Sequence, residues 1–231
     1  MTLSKLGWSG IFALSLAIVW AGACSWSEEG DGLSPAHASA QSELHTRRAD
    51  PPPNGQAAAV FAGGCFWCME TAFEGLRGVE SVTSGYAGGR IDGPSYEQVS
   101  AGGTGHAESV RVVYHPDVIT YAQLLDIFWH NVDPTQRDGQ FCDHGNQYRT
   151  AIFVANAEER RLAEASRARA AEELHRDIVT EIDDAAPFWI AEDYHQDFFR
   201  THPVRYRTYR TGCGRDRRLE ALWGAPGRQG H

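Results

Sequence analysis

Apolar positions along the chain fall into short runs separated by glycine-rich or polar stretches, and the spacing inside each run predicts its element. Residues 57–62 form a near-continuous apolar run closed by Gly63-Gly64, the pattern of a buried strand ending in a tight turn. Residues 65–76 carry Phe66, Met69, Phe73 and Leu76 at helical spacing, with Gly78 near a C-cap position. Residues 79–86 alternate loosely, as a strand would. Residues 88–105 are glycine-rich and predict an irregular loop. Residues 108–114 alternate again, with Val110, Val112 and Tyr114 on one face. An amphipathic helix is predicted over 120–132, with Thr120 as N-cap. A loop over 133–146, a strand over 150–155 and a surface helix rich in Ala, Glu and Arg over 157–174 follow. The last predicted elements are a strand over 178–182 and a short helix over 191–199, leaving the remainder as a polar tail. Strands interspersed with helices predict an α/β (α+β) sandwich.

Composition narrows the classes. The chain has 231 residues, 42% hydrophobic and 22% charged, which suits a folded core and excludes a disordered protein. Its formal net charge of -9, with no basic stripe, excludes a nucleic-acid partner. The N-terminus changes the picture further. Lys5 precedes an apolar stretch at 6–23, and no charge follows until Glu28, the pattern of a signal peptide. Ala21-Gly22-Ala23-Cys24 resembles a bacterial lipoprotein box, in which Cys24 would carry lipid. Two alternatives stand beside it: soluble secretion after cleavage at Ala38 or Ala40, and an uncleaved anchor. In each case the remainder is exported, to the periplasm or cell envelope. Residues 25–55 are rich in Ser, Ala, Gly and acidic side chains and end near Pro51-Pro52-Pro53, so they predict a linker. A single domain, expected to be monomeric, is predicted over 56–225.

Chemistry concentrates at Gly63-Gly64-Cys65-Phe66-Trp67-Cys68, where a strand is predicted to turn into a helix. Glycines there permit positive φ and close approach. A cysteine at a helix N-terminus meets the positive end of the dipole and free N–H groups, which favours the nucleophilic thiolate. Bland readings compete with that one. A buried cysteine is most often an inert small hydrophobe, and Phe66-Trp67 could be core. A CxxC can be a thioredoxin-type redox pair, and it can also be half of a zinc site. Zinc would require a second pair; Cys142 and His144 are spaced too closely for the usual knuckle.

The segment 63–68 resembles the active-site signature of the peptide methionine sulfoxide reductase A family. So, in the same order, do Pro94-Ser95-Tyr96-Glu97-Gln98-Val99, Gly105-His106-Ala107-Glu108-Ser109-Val110, and 143–150. Pro187-Phe188-Trp189 and Ala191-Glu192-Asp193-Tyr194-His195-Gln196 complete the set. The resemblance implies a two-layer sandwich with a mixed sheet and much irregular chain. It also implies reduction of methionine-S-sulfoxide, with Cys65 as nucleophile and Glu108 as proton donor. Tyr96 and Tyr148 would hydrogen-bond the sulfoxide oxygen, Asp143 would accompany them, and Phe66 and Trp67 would hold the substrate methyl group. The resulting sulfenic acid condenses with a second thiol. Cys213, in a Gly-flanked tail, resembles the family's resolving cysteine and is favoured. Cys68, one helical turn from Cys65, is the alternative, and Cys142, beside Asp143, is a third candidate that could equally be a passive core thiol. The family uses thioredoxin as reductant, so an exported member needs a thioredoxin-like donor. No metal, flavin or nicotinamide is implied, and no dinucleotide fingerprint follows a strand. The rival function is a general thiol-disulfide oxidoreductase built on Cys65 and Cys68.

Overall fold

The computed structural model describes residues 46–224. The signal peptide, the lipoprotein box and most of the linker therefore lie outside the described residues. Seven strands form one sheet: β1 (Arg47–Arg48), β2 (Ala57–Gly63), β3 (Val79–Ala87), β4 (Ala107–Tyr114), β7 (Thr150–Val154), β8 (Glu181–Asp184) and β9 (Trp189–Ile190). Their spatial order is β1-β9-β3-β4-β2-β7-β8. Only β7 and β8 run parallel, and the crossover between them is helical. A separate two-residue hairpin pairs β5 (Gly139–Gln140) with β6 (Asp143–His144). The sheet is mixed and flanked by helices, as the sequence predicts.

Helices α1 (Phe66–Phe73), α3 (Tyr121–Trp129) and α4 (Ala157–Leu174) build the main core with the sheet. Phe61 of β2 stacks on Phe73 and Phe128, with ring centroids 5.3 and 5.2 Å away. Thr120 caps α3 through a full capping box with Gln123. Ala163, Ser166 and Ala170 form the buried face of α4, where Ser166 Oγ accepts the buried indole N–H of Trp129 at 2.9 Å.

Several elements differ from the sequence expectation. Residues 88–105 are not wholly irregular: α2 (Tyr96–Ser100) sits within them, capped by a box between Ser95 and Gln98. The strand expected at 178–182 begins later, because the Val179 N–H is taken by the Pro134 carbonyl at 2.8 Å. The helix expected at 191–199 is broken. Gln196 donates to the Ser84 and Ala191 carbonyls and accepts the Ser84 N–H, which ties this stretch to β3. Only α5 (Phe198–Thr201) follows. The ordered chain also reaches back into the expected linker, where Arg47–Arg48 pair with Trp189–Ile190.

The largest correction concerns the C-terminal tail, which is not irregular. It forms α6 (Pro203–Gly212) and α7 (Arg215–Trp223), with Pro203 starting the first and Gly214, at φ 66°, separating them. Arg218 pairs with Asp133 at 2.7 Å, and the Trp223 indole donates to the Val132 carbonyl at 3.1 Å, so α7 is docked on the body. Among the described residues no helix is long and apolar enough to cross a membrane.

Candidate active site

The turn from β2 into α1 presents Cys65 as the N-cap residue of the helix. Gly64 adopts φ +79°, a left-handed conformation that favours glycine. A Cβ on Gly63 would stand 2.5 Å from the Met69 sulfur, so the close approach at this turn is to the protein's own core. With no side-chain cap on α1, the first free N–H, that of Phe66, is satisfied from a distant strand: it donates to Glu108 Oε2 at 3.1 Å. Glu108 lies at the start of β4, the middle strand of the sheet, opposite Tyr86 in β3. It is 3% exposed, and burial above all pushes its carboxyl up to about 8, with Asp143 and Cys68 adding to the rise. An un-ionised acid one residue from Cys65 is the result.

Tyr96, Tyr148 and Asp143 converge on the same place. The phenols of Tyr96 and Tyr148 are both raised by burial first, and Glu108, Asp143 and Cys65 all act on each. Tyr96 is oriented through its backbone, whose N–H donates to Glu192 Oε1 at 2.8 Å, while Glu192 Oε2 accepts the Tyr86 hydroxyl at 2.9 Å. Phe66 is fully buried against Tyr86 and His195, whereas Trp67 keeps part of its surface and stacks on Phe198 at 3.7 Å. The Trp67 indole donates to His195 Nδ1 at 3.2 Å. That bond needs Nδ1 unprotonated, and burial accordingly pulls the imidazole down to about 4.

Cys65 departs from the open thiolate that the sequence predicts. It is 6% exposed. Burial pushes its thiol well up, reinforced by the hydrogen bond with Cys68 and the Glu108 carboxyl and opposed by Tyr209. Cys68 moves the other way, down to about 6, chiefly through the hydrogen bond from Cys65, with Arg215 and Arg210 assisting against burial. The cover over Cys65 is Tyr209 of α6, which packs against it, donates its hydroxyl to Asp143 Oδ2 and acts to lower the Cys65 thiol.

Cys213 also differs from expectation. It is bonded to Cys142, with Cα atoms 5.0 Å apart, so neither holds a free thiol; Cys65 and Cys68 are the free cysteines among the described residues. Tyr209, His195 and Glu192 are site residues that sequence reasoning missed. Among the described residues, two acidic or sulfur clusters have ligand atoms close enough to share an ion. One is Cys142, Asp143 and Cys213, whose sulfurs are consumed by the disulfide. The other, Glu70, Glu74 and Asp197, is engaged by Ser84, Arg200 and the Asp197 N–H.

A vicinal pair of thiols at a helix start, beside a buried acid that keeps its proton, defines a thiol-based oxidoreductase able to reduce an oxygen-bearing substrate. Residues 57–226 match the family model described as peptide methionine sulfoxide reductase. The chain belongs to the peptide methionine sulfoxide reductase family. It is 51% identical over 166 residues to peptide methionine sulfoxide reductase MsrA 2 of Rhizobium meliloti (strain 1021), covering 72% of this chain and 83% of that one. Over 169 residues it is 50% identical to the MsrA of Bacillus subtilis (strain 168), covering 72% and 96%. Among solved structures it resembles reduced Mxr1 from Saccharomyces cerevisiae, with a TM-score of 0.64, 30% identity, and 67% of this chain and 90% of that one covered. Methionine sulfoxide reductase A of Corynebacterium diphtheriae matches with a TM-score of 0.59, also at 30% identity, over 67% and 84%.

Proposed function

We propose that this chain reduces methionine-S-sulfoxide in proteins or peptides, with Cys65 as nucleophile and Glu108 as the acid. The observation that carries this is the Glu108 carboxyl, held un-ionised up to about pH 8 one residue from the cysteine. Breaking the S–O bond requires a proton on the departing oxygen, and an acid of that strength supplies it at neutral pH. Cys65 passes its proton to Cys68 and attacks the sulfoxide sulfur, the proton from Glu108 reaches the oxygen, and the products are the thioether and a sulfenic acid on Cys65. Tyr96, Tyr148 and Asp143 orient the oxygen, and Trp67 with Phe66 receives the methyl group. For this Tyr209 must yield its place beside Cys65.

Cys68 is the resolving cysteine in this proposal. It is free and hydrogen-bonded to Cys65, while Cys213 is held by Cys142. Condensation releases water and leaves a Cys65–Cys68 disulfide for a thioredoxin-like dithiol to reduce. The same pair would serve a general thiol-disulfide oxidoreductase, but that activity has no use for a protonated Glu108. Reduced protein is incubated with the separated S and R epimers of a methionine sulfoxide peptide and dithiothreitol. Methionine should form from the S epimer alone; consumption of neither, with exchange on disulfide substrates retained, overturns the proposal.

We further propose that the enzyme is exported as a monomer and lipid-anchored at Cys24, supported by Lys5, the apolar stretch at 6–23 and the Ala21-Gly22-Ala23-Cys24 sequence. Labelled palmitate should enter the expressed protein and be lost in Cys24→Ser; equal labelling of both, or of neither, overturns the anchor.

A further inference from the structure

Arg215, at the start of α7, is the largest fully buried side chain among the described residues, at 2% exposed. Its guanidinium lies beneath the turn that presents the two thiols. Nη2 donates to the carbonyls of Asn131 at 2.7 Å and Gly63 at 3.1 Å, and meets the Met69 sulfur at 3.1 Å. The group stacks over Phe141 at 4.4 Å, and its Nε–H has no partner. Every one of these contacts is neutral. Neighbouring arginines on the same helices are paired, Arg210 with Asp216 at 2.6 Å and Arg218 with Asp133 at 2.7 Å, but among the described residues no carboxylate lies within ion-pair distance of Arg215. A guanidinium keeps its proton, and two carbonyls and a ring face offset its buried charge less fully than an anion would.

We propose that Arg215 is a positioning residue for the recycling half of the reaction, its buried charge beneath the Gly63-Gly64 turn, bonded to the Gly63 carbonyl and against Met69 next to Cys68, serving the Cys68 sulfur as it attacks oxidised Cys65. This rests on Cys68 being the resolving cysteine. In the step, the Cys68 sulfur attacks the sulfenic sulfur of Cys65. An S–S bond forms and the S–O bond breaks, and the oxygen leaves as hydroxide and takes a proton to become water. Cys68 is oxidised and Cys65 reduced, so no outside electron is needed until the disulfide itself is recycled.

The groups facing Cys68 come from every element around it. Cys65 donates to it from the helix cap, Arg215 and Arg210 contribute positive charge from α7 and α6, and Asp143 opposes from β6. Tyr206 of α6 and Glu108 of β4 also couple to it. Arg215 is the foremost of the charges acting on this thiol, and Asp143 is the second anion on which it acts. Arg215 is placed by the bond between Cys213 and Cys142 two residues before it.

The test reads the pH profile of Cys68 alkylation by iodoacetamide, located by peptide mass spectrometry, in full-length Cys65→Ser protein whose hydroxyl retains a donor toward Cys68. The midpoint should fall near 6 and rise by a unit or more in Arg215→Met, a tenfold or greater loss of thiolate at pH 6. Arg215→Lys should keep the midpoint while lowering thermal stability, since it preserves the charge and loses the bonds. A folded Arg215→Met with an unmoved midpoint overturns the proposal. If Arg215→Met does not fold, the lysine variant decides: a midpoint that rises by a unit despite the retained charge overturns it. The resolving role is judged separately, by dimedone trapping of oxidised Cys65 in Cys68→Ser. If that variant still condenses to a disulfide, Cys68 is not the resolving cysteine, whatever Arg215 does to the midpoint.

Discussion

The carboxyl of Glu108 accepts the backbone N–H of Phe66 at 3.1 Å, so one bond both starts the reactive helix and fixes the acid beside the nucleophile. Because Oε2 takes that bond, the other oxygen is the one left to carry the proton. Glu108→Gln keeps an acceptor for Phe66 and loses the acid. Its rate of methionine release in a single turnover should fall by about 10² to 10⁴ with the fold intact, as for loss of a general acid. A variant within threefold of the parent rate would remove Glu108 from the chemistry.

The same carboxyl sets a pH dependence. Turnover that needs the protonated acid should decline as pH rises through about 8. Stability has the same sign. Between the ordinary glutamate pKa and 8 the folded state holds a proton that the unfolded state has released, so stability falls as pH rises across that window and levels off above it. Glu70, raised to about 7 by burial first, adds a loss of the same sign. Denaturant midpoints measured from pH 5 to 9 should therefore fall less steeply in Glu108→Gln; parallel profiles for the two proteins would exclude the shift.

The bond between Cys142 and Cys213 closes 71 residues of chain. For a loop of that length the chain-entropy contribution is about 4 kcal/mol. Replacing both cysteines by serine should lower unfolding stability by up to roughly that amount. It should also speed alkylation of Cys65, because Tyr209 is carried by the helix that ends at Cys213. Unchanged Cys65 reactivity would show that the docked α7 holds the cover without the disulfide.

Trp67 depends on His195. Its indole N–H has the imidazole Nδ1 as acceptor, so His195→Phe leaves that donor without a protein partner. A stability loss of about 1–2 kcal/mol is expected from the unsatisfied group. If Trp67 receives the substrate methyl, KM should rise more than kcat falls, which steady-state kinetics on the S epimer will resolve.

The elements legible in the sequence were those whose local signals and burial agree. Residues 157–174 read as a helix because alanine and alternating charges leave no competing pattern, and the helix observed is Ala157–Leu174. The Thr120 cap was equally plain. The matching box at Ser95 and Gln98 has the same spacing, but glycines on both sides outweighed it and α2 was read as loop. Helices α6 and α7 were illegible for another reason. Both helices are rich in arginine, and their buried side chains are Tyr206, Arg215 and Leu219, too few to make an apolar stripe. At the site, the thiolate was assigned to Cys65 from its helix-end position. The structure adds burial and a second thiol, which no spacing reports, and these raise the Cys65 thiol and lower that of Cys68.

Glu108 stands on the middle strand of the sheet, hydrogen-bonded to neighbours on both sides, whereas Tyr209 beside Cys65 and Phe198 stacked on Trp67 come from the last forty residues. The acid and these two rings thus belong to different stretches of chain. Redesign of which oxidised proteins gain entry can begin at Phe198 and Tyr209, leaving the proton-delivering strand untouched.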